Sequence, residues 1–258
     1  MPLSPAAVAE RFAPAGLAAV EAASDLQDRR ERKYLVPTAT FATLAEQLLP
    51  THAALEIDGR RAFGYRTTYL DTPALLAYRE HLQGRRRRFK CRVREYADSG
   101  VRVAEVKLKG ARGRTVKHRV ELTGGDGAAA ARALLAYCLA EHYGRVLDAP
   151  LRPVLATDYT RVTLAAPARG ERLTCDAGLG FRAPGGATAA LRPGTVILES
   201  KSRDGDALAD RILRALGARP AEGCSKYCAG VALTHAGVPA NHMRPLLRRH
   251  FSGALSSR

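Results

Sequence analysis

The sequence predicts an α+β fold: an eight-stranded antiparallel β-barrel with charged strand faces turned inward, flanked by amphipathic helices. Three observations lead there. First, three successive segments from Arg85 to Glu121 alternate at the two-residue period of a strand. RRRRFKCRVREY sets Arg86, Arg88, Lys90, Arg92 and Arg94 against Phe89, Cys91 and Val93; VRVAEVKLKG sets Glu105, Lys107 and Lys109 against Ala104, Val106 and Leu108. RTVKHRVEL sets Thr115, Lys117, Arg119 and Glu121 against Val116, His118, Val120 and Leu122. Second, five further segments repeat the split: RRERKYLVP, RAFGYRTTYLD, ATDYTRVTL, ERLTCDAGL and TVILESKS. Third, segments of helical period lie between the strands. Closing the strands into a barrel removes open edges and lets charged faces point inward while apolar faces meet the helices.

The elements follow in order. Ser4-Pro5 reads as an N-cap with Pro in the first turn, opening a short helix that Pro14 and Gly16 end. A second short helix is expected from Leu17 to Leu26. RRERKYLVP follows as a strand with Arg29, Glu31, Lys33 and Leu35 on one face and Tyr34 and Val36 on the other. Thr38 to Leu49, with Phe41, Leu44, Ala45 and Leu48, is an amphipathic helix. Arg61 to Asp71 is rich in aromatic and β-branched residues and reads as a strand; Thr72-Pro73 then caps a helix from Ala74 to Leu82 that ends at Gly84.

After the three charged strands, Asp126 caps a helix whose inner side carries Leu134, Leu135, Cys138 and Leu139. In the second half Tyr159, Arg161 and Thr163 share one strand face. Arg172, Thr174 and Asp176 oppose Leu173 and Cys175, and Glu199 and Lys201 join Ile197 against Val196 and Leu198. Asp206 caps a helix from Leu208 to Leu216 ended by Gly217, and CSKYCAGVALTHAG forms a last helix with Lys226 near its start. From Pro239 the chain is basic, proline-punctuated and expected to be mobile. The organisation expected is a helical segment over 1–28, the strand domain over 29–236, and a basic tail over 237–258.

Composition bounds the function. A chain of 258 residues with 46% hydrophobic content can bury a substantial core, and a formal charge of +16 attracts polyanions. The five cysteines (Cys91, Cys138, Cys175, Cys224, Cys228) form no CxxC pair and lack His at metal-ligand spacing, so they read as small buried residues in a reducing compartment. The seven histidines have no mutual spacing and read as surface or packing residues. Glu10, Arg11 and Glu21 interrupt the N-terminal Ala-rich run, and no segment has spanning length, so a cytoplasmic chain is expected, with peripheral placement at the inner membrane face left open.

A single charged strand face is as readily a solvated surface as a site. Three adjacent ones are different, because like charges on neighbouring strands repel unless an anion neutralises them. Phosphate matches many Arg and Lys donors. Single-stranded RNA would require aromatic stacking platforms, and with no Trp and 6% aromatics no specific nucleic-acid partner is expected. The RRRR run at Arg85 to Arg88 resembles a nucleic-acid or localisation patch, but alternation sends Arg85 and Arg87 to the outer face.

Nine motifs in order, RRERKYLVP, YRTTYLDTPAL, KCRVREY, AEVKLKG, TVKHRVEL, YTRVTL, RLTCD, ILESKS and CSKYCAG, span Arg29 to Gly230. Together they resemble the VTC domain, the polyphosphate polymerase branch of the triphosphate tunnel metalloenzymes, related to CYTH-type triphosphatases. The resemblance implies an eight-stranded antiparallel tunnel that transfers the ATP γ-phosphate to inorganic polyphosphate with Mn²⁺ or Mg²⁺. Position by position it implies that Lys33, Arg92, Arg94, Lys107, Lys117, Arg161, Arg172 and Lys226 contact phosphate, with Lys90, Lys201 and Tyr159 beside them. Lys33, Arg92, Arg94, Lys107 and Lys226 would act on the reacting phosphates, and Arg161 and Arg172 would orient the triphosphate. Glu199 would hold the metal, with Glu31 and Glu105 as weaker candidates. The triphosphatase signature ExExK needs Glu at the position of Arg29, which favours the polymerase branch over hydrolysis of triphosphates. A non-catalytic polyanion-binding module is the third reading. The SPX domain and membrane helices that accompany the eukaryotic polymerases have no counterpart in these motifs, so a membrane-protein partner, regulation and oligomeric state stay open.

Overall fold

The computed structural model describes residues 3–22, 30–110, 115–203, 205–221 and 225–253. In chain order the elements are α1 (Pro5–Ala9), β1 (Ala13–Ala15), α2 (Leu17–Ala22), β2 (Arg30–Pro37), α3 (Thr38–Leu48), β3 (Ala53–Leu55) and β4 (Ala62–Asp71). Then come α4 (Leu76–Leu82), β5 (Phe89–Tyr96), β6 (Arg102–Lys109), β7 (Thr115–Leu122), α5 (Gly127–Tyr143), β8 (Arg152–Ala166) and β9 (Glu171–Arg182). The chain ends with β10 (Thr188–Leu191), β11 (Thr195–Ser202), α6 (Leu208–Ala215), α7 (Lys226–Thr234), α8 (Arg244–His250) and β12 (Phe251–Ser252).

The chain divides into two compact units. The first comprises Met1–Gly64, Tyr159–Leu179 and Leu191–Cys224. Its core is apolar residues from alternate strand positions, Tyr34 and Val36 of β2, Leu173 and Cys175 of β9, and Val196 and Leu198 of β11, closed by Phe41, Leu44 and Leu48 of α3 and by Leu213 of α6. Each fully buried side chain of this kind contributes about 1.5–3 kcal/mol. Because these positions face the helices, Glu31 and Lys33 of β2 and Glu199 and Lys201 of β11 share the other face. The antiparallel register places Glu199 opposite Lys33 and Lys201 opposite Glu31; on its other side β11 places Glu199 opposite Thr174 and Lys201 opposite Arg172.

The second unit comprises Tyr65–Asp158, Gly180–Ala190 and Ser225–Arg258. Here β4, β5, β6 and β7 form an antiparallel meander, with Arg92 opposite Glu105, Lys90 opposite Lys107, and Lys107 opposite Lys117. Helix α5 packs on β5, β6 and β7, burying Ala131, Leu135, Cys138 and Leu139, and Cys91 Sγ donates to the Ala131 carbonyl at 3.3 Å. Asp126 caps it by accepting from the Ala128 amide at 2.8 Å. Leu134, expected on the inner side, is half-buried.

The hydrogen-bonded strand order is β12-β10-β9-β8-β4-β5-β6-β7, with β11 joining β9 to β2 and β3 joining β8 to β1. The result is an α+β fold with a large, mostly antiparallel sheet and flanking helices. Among the described residues no pairing of β7 with β2 closes eight strands into a ring. At β2 the Lys33 carbonyl instead accepts from the Ala221 amide at 2.7 Å.

Local expectations change in five places. Residues Ala13–Ala15 form a short strand parallel to β3, because Pro14 lacks only the donor that a strand edge can spare. The helix expected at Ala74 begins at Leu76, after Leu75 at φ +55°, since Asp71 and Thr72 accept from amides farther along the chain. Asp206 does not cap α6: its carboxylate accepts from Arg214 at 2.6 Å, while Glu171 Oε2 accepts from the Leu208 amide at 3.0 Å. Strand β5 begins at Phe89, leaving Arg86 in the preceding bend and Arg88 just before the strand, where its carbonyl accepts from the Lys109 amide at 2.9 Å. The chain after Pro239 is folded through α8 and β12, with Leu247 buried and the Phe251 ring 5.8 Å from Phe181. Arg29, Cys224 and the end of the second helix lie outside the described residues. Among the described residues no helix is long and apolar enough to cross a membrane.

Candidate functional site

Both units carry a charged strand face built around a carboxylate. In the first, Glu199 Oε1 lies 2.7 Å from Lys201 Nζ and Oε2 lies 3.3 Å from Lys33 Nζ. Glu31 pairs with the same two lysines, directly with Lys33 and at 3.6 Å with Lys201. The four alternate because β2 and β11 run antiparallel in the register that sets each Glu across from a Lys. Burial alone would raise the Glu199 carboxyl, but Lys201, Lys33 and Arg161 outweigh it and hold the group well below the usual carboxylate range. Burial also lowers Lys201, opposed by Glu199.

Alongside lie β8 and β9. Arg161 donates to Asp176 as a fork, Nε to Oδ1 at 2.6 Å and Nη2 to Oδ2 at 2.8 Å, and its guanidinium sits 5.3 Å from the centre of the Tyr159 ring. Tyr159 is thus placed as a packing partner for Arg161. Thr174, opposite Glu199, is buried, and its hydroxyl has no hydrogen-bond partner among the described residues.

In the second unit Glu105, 2% exposed, draws three cations together. Arg92 donates through Nε at 2.7 Å, Lys117 pairs with Oε1, and Arg94 Nη1 stands 3.9 Å away. Burial raises the Glu105 carboxyl, and Arg92, Arg94 and Lys117 reverse that to hold it far below its ordinary value. The field reaches Tyr69: burial would raise this phenol, yet Arg92, Arg94 and Lys90 bring it below its ordinary value. Arg92 and Arg94 lie 5.9 and 5.2 Å from the rings of Tyr69 and Tyr65. Next to this group, Lys90, Lys107 and Lys117 occupy directly opposed positions on β5, β6 and β7. Like charges in one row repel, and at Lys117 the ion pair with Glu105 offsets part of that repulsion.

Lys226 opens α7, whose N-cap Ser225 accepts from the Cys228 amide at 3.1 Å. The turn is fastened by its neighbour Tyr227, which donates to Asp71 Oδ2. Asp71 also accepts from the amides of Thr72 (2.7 Å), Ala77 (2.9 Å) and Tyr78 (3.0 Å). Sequence reasoning missed Asp71 by assigning the cap to Thr72 alone. It likewise missed Asp210, which is buried and accepts from Tyr34 (2.8 Å) and Ser200 (2.5 Å), the neighbours of Lys33, Glu199 and Lys201 on the opposite strand faces. The Arg161 fork on Asp176 was legible only as a shared face.

Mn²⁺ or Mg²⁺ would require oxygen ligands, which the carboxylates of these faces could supply. Among the described residues no three His, Cys, Asp or Glu side chains gather as a metal cage. Glu199 and Glu31 nonetheless converge on the same lysine pair, and Glu199 is held ionised. One or two carboxylates completed by substrate phosphate oxygens is the usual mode of a hard divalent ion, and this donor set fits it. Glu105, 2% exposed and with its two oxygens against Arg92 and Lys117, leaves a metal no open edge.

No curated protein matches the sequence. Among solved structures, a putative adenylate cyclase from Bacillus halodurans is 16% identical over 77% of this chain and 96% of its own, with TM-score 0.46. A putative adenylyl cyclase from Hippeastrum, described as having a dominant triphosphatase activity, is 15% identical over 82% and 98%, with TM-score 0.45. One from Vibrio parahaemolyticus is 14% identical over 74% and 87%, with TM-score 0.43. Likenesses this distant carry no argument about chemistry. The VTC domain family profile matches residues 28–235. With four-fifths of its length covered by that match, and with the cationic strand faces described above, the chain belongs to the VTC domain family, whose members act on triphosphate or polyphosphate.

Proposed function

We propose that the protein is a polyphosphate polymerase, transferring the γ-phosphoryl group of ATP to the end of an inorganic polyphosphate chain and releasing ADP, with the charged strand faces as its phosphate-binding surfaces. The observation that carries this reading is the lysine row Lys90, Lys107 and Lys117 beside the Arg92–Glu105–Arg94 group, a density of cations across three strands that suits the repeating charge of a long polyanion. In the transfer, the bond from the γ-phosphorus to the β,γ-bridging oxygen breaks and a bond to the terminal oxygen of the chain forms. That oxygen is already an anion, so no general base has to take a proton. What remains is positioning and neutralisation of charge on the equatorial oxygens. Lys33, Arg92, Arg94, Lys107 and Lys226 do this for the reacting phosphates. Lys90, Lys117 and Lys201 hold the remainder of the anion, and Arg161, fixed by Asp176, and Arg172 orient the triphosphate. Glu199, assisted by Glu31, would hold Mn²⁺ or Mg²⁺, which supplies charge neutralisation to the phosphate oxygens.

The test is to incubate the protein with ATP and Mn²⁺, with and without a short polyphosphate primer, and to resolve the products by gel and ³¹P NMR. ADP with long chains, lost in Glu199→Ala and Lys226→Ala, is the expected result. Orthophosphate without chains would replace this reading with triphosphate hydrolysis, and unchanged ATP with tight polyphosphate binding would leave a binding module.

A further inference from the structure

Away from the charged faces, His118 of β7 and His142 of α5 bring their Nε2 atoms to 2.8 Å, with ring centres 4.9 Å apart and planes inclined by 41°. Alternation sets His118 on the face of β7 opposite Lys117 and Arg119, against the helix; His142 lies in the last turn of α5. In the metal-free protein one imidazole donates its Nε2 hydrogen to the other, which fixes opposite tautomers on the two rings. Two Nε2 atoms held together from a strand and a helix are also a chelating pair. At metal–nitrogen distances of about 2.0–2.1 Å, neighbouring ligand positions at right angles put two nitrogens about 2.9 Å apart, whereas tetrahedral positions need about 3.3 Å. The spacing of this hydrogen bond lies nearer the right-angled case, the geometry of Cu²⁺ and Ni²⁺ with imidazole, than the tetrahedral one.

We propose that His118 and His142 form a surface chelate for a late first-row divalent cation of tetragonal or octahedral preference, Cu²⁺ or Ni²⁺, with water in the remaining positions. On binding, both Nε2 lone pairs go to the metal. The ring that had carried hydrogen on Nε2 releases that proton and takes one up on Nδ1, so there is no net release above the imidazole pKa. His142 is exposed and His118 half-buried, leaving the open positions toward solvent. The site is distinct in chemistry from the Glu199 group, whose oxygens suit Mg²⁺ or Mn²⁺. It ties β7, the end strand of the meander, to α5.

The full chain, freed of metal with EDTA and held in excess Mg²⁺, is titrated with Cu²⁺, Ni²⁺ and Zn²⁺ by calorimetry, and the Cu²⁺ form is examined by electron paramagnetic resonance. Expected are one equivalent of Cu²⁺ bound with hyperfine splitting from two nitrogens, Ni²⁺ bound at least tenfold more tightly than Zn²⁺, and at least tenfold weaker Cu²⁺ binding in either His118→Ala or His142→Ala. ATP turnover with Mn²⁺ should be the same in both variants as in the parent, separating this site from the proposed catalytic one. A Cu²⁺ signal with one nitrogen, or affinity unaltered in both variants, would overturn the proposal and leave the pair as a hydrogen bond between side chains.

Discussion

Replacing Glu105 by Gln removes one negative charge from the centre of three cations while keeping nearly the same shape. Glu105 is 2% exposed, with Arg92 Nε at 2.7 Å, Arg94 at 3.9 Å and Lys117 on its other oxygen. The local balance of these four groups goes from +2 to +3. Removing one partner of a buried ion pair costs about 3–5 kcal/mol. The low end, about 3 kcal/mol, applies because Lys117 is 45% exposed and can turn to water. For a chain of this size that corresponds to a fall in Tm of about 6–12 °C. The assay is differential scanning fluorimetry in phosphate-free buffer, with and without saturating tripolyphosphate. If the face binds phosphate, the variant binds the anion more tightly than the parent, by about tenfold or 1.4 kcal/mol. Ligand should therefore shrink the Tm gap by about 3–6 °C. A gap that tripolyphosphate leaves unchanged or widens would show that the cations are a structural ion-pair cluster and would refute the anion-site reasoning.

Three further outcomes follow from the same geometry. The depressed carboxyls of Glu105 and Glu199 supply stability that is complete above the unfolded glutamate pKa of about 4.3 and is lost as pH falls through their lowered values. His52 and His81, lowered to about 4 and about 3, begin to cost stability below about 6.5. Urea unfolding should thus show stability falling steadily from pH 7 to pH 3, with a shallower slope between 6.5 and 4 in His81→Gln. Tyr227→Phe removes a hydrogen bond to the buried Asp71 carboxylate and should cost about 1.5–3 kcal/mol, read by denaturant midpoint. In Gly230→Ala the new methyl would overlap Leu155 and stand 2.6 Å from Phe181 Cδ1, so overpacking should cost about 1–3 kcal/mol by the same measurement.

Strand alternation made the charged faces legible because each strand has only two sides, and one side had to meet helices such as α3 and α5. That settled the side of Lys33, Arg92, Glu105, Lys117 and Glu199 before any pairing was known. What alternation does not contain is register. That Lys33 faces Glu199, or that Lys90, Lys107 and Lys117 fall in one row, depends on turn lengths and on how the helices seat. The same gap hid Asp71 and Asp210, whose partners Tyr227 and Tyr34 lie 156 and 176 residues away in sequence. Helix ends were misread where a distant carboxylate took the orphan amide: Glu171, from β9, serves α6 in place of the adjacent Asp206. The histidine pair was missed for a related reason, since His118 and His142 are 24 residues apart and meet only once α5 packs back on β7.

The carboxylates explain how a cationic face survives without its ligand. Rows such as Lys90–Lys107–Lys117 repel, and a sheet carrying only cations would bend or slip to separate them. Glu105 and Glu199 sit in register with cations on the neighbouring strands, so the folded state gains attraction at the points where repulsion is greatest. The arrangement also fixes directions: Arg92 and Lys117 are drawn toward one carboxylate, and Lys33 and Lys201 toward another, before an anion arrives. A phosphate oxygen entering such a group meets donors whose side-chain entropy has already been spent, which is the condition for electrostatic stabilisation without reorganisation. The internal Glu therefore weakens ground-state attraction for a bound polyanion while sharpening its placement, a balance that would suit the proposed polymerase, whose product has to advance between transfers. An all-cation face would hold polyphosphate more tightly and release it more slowly.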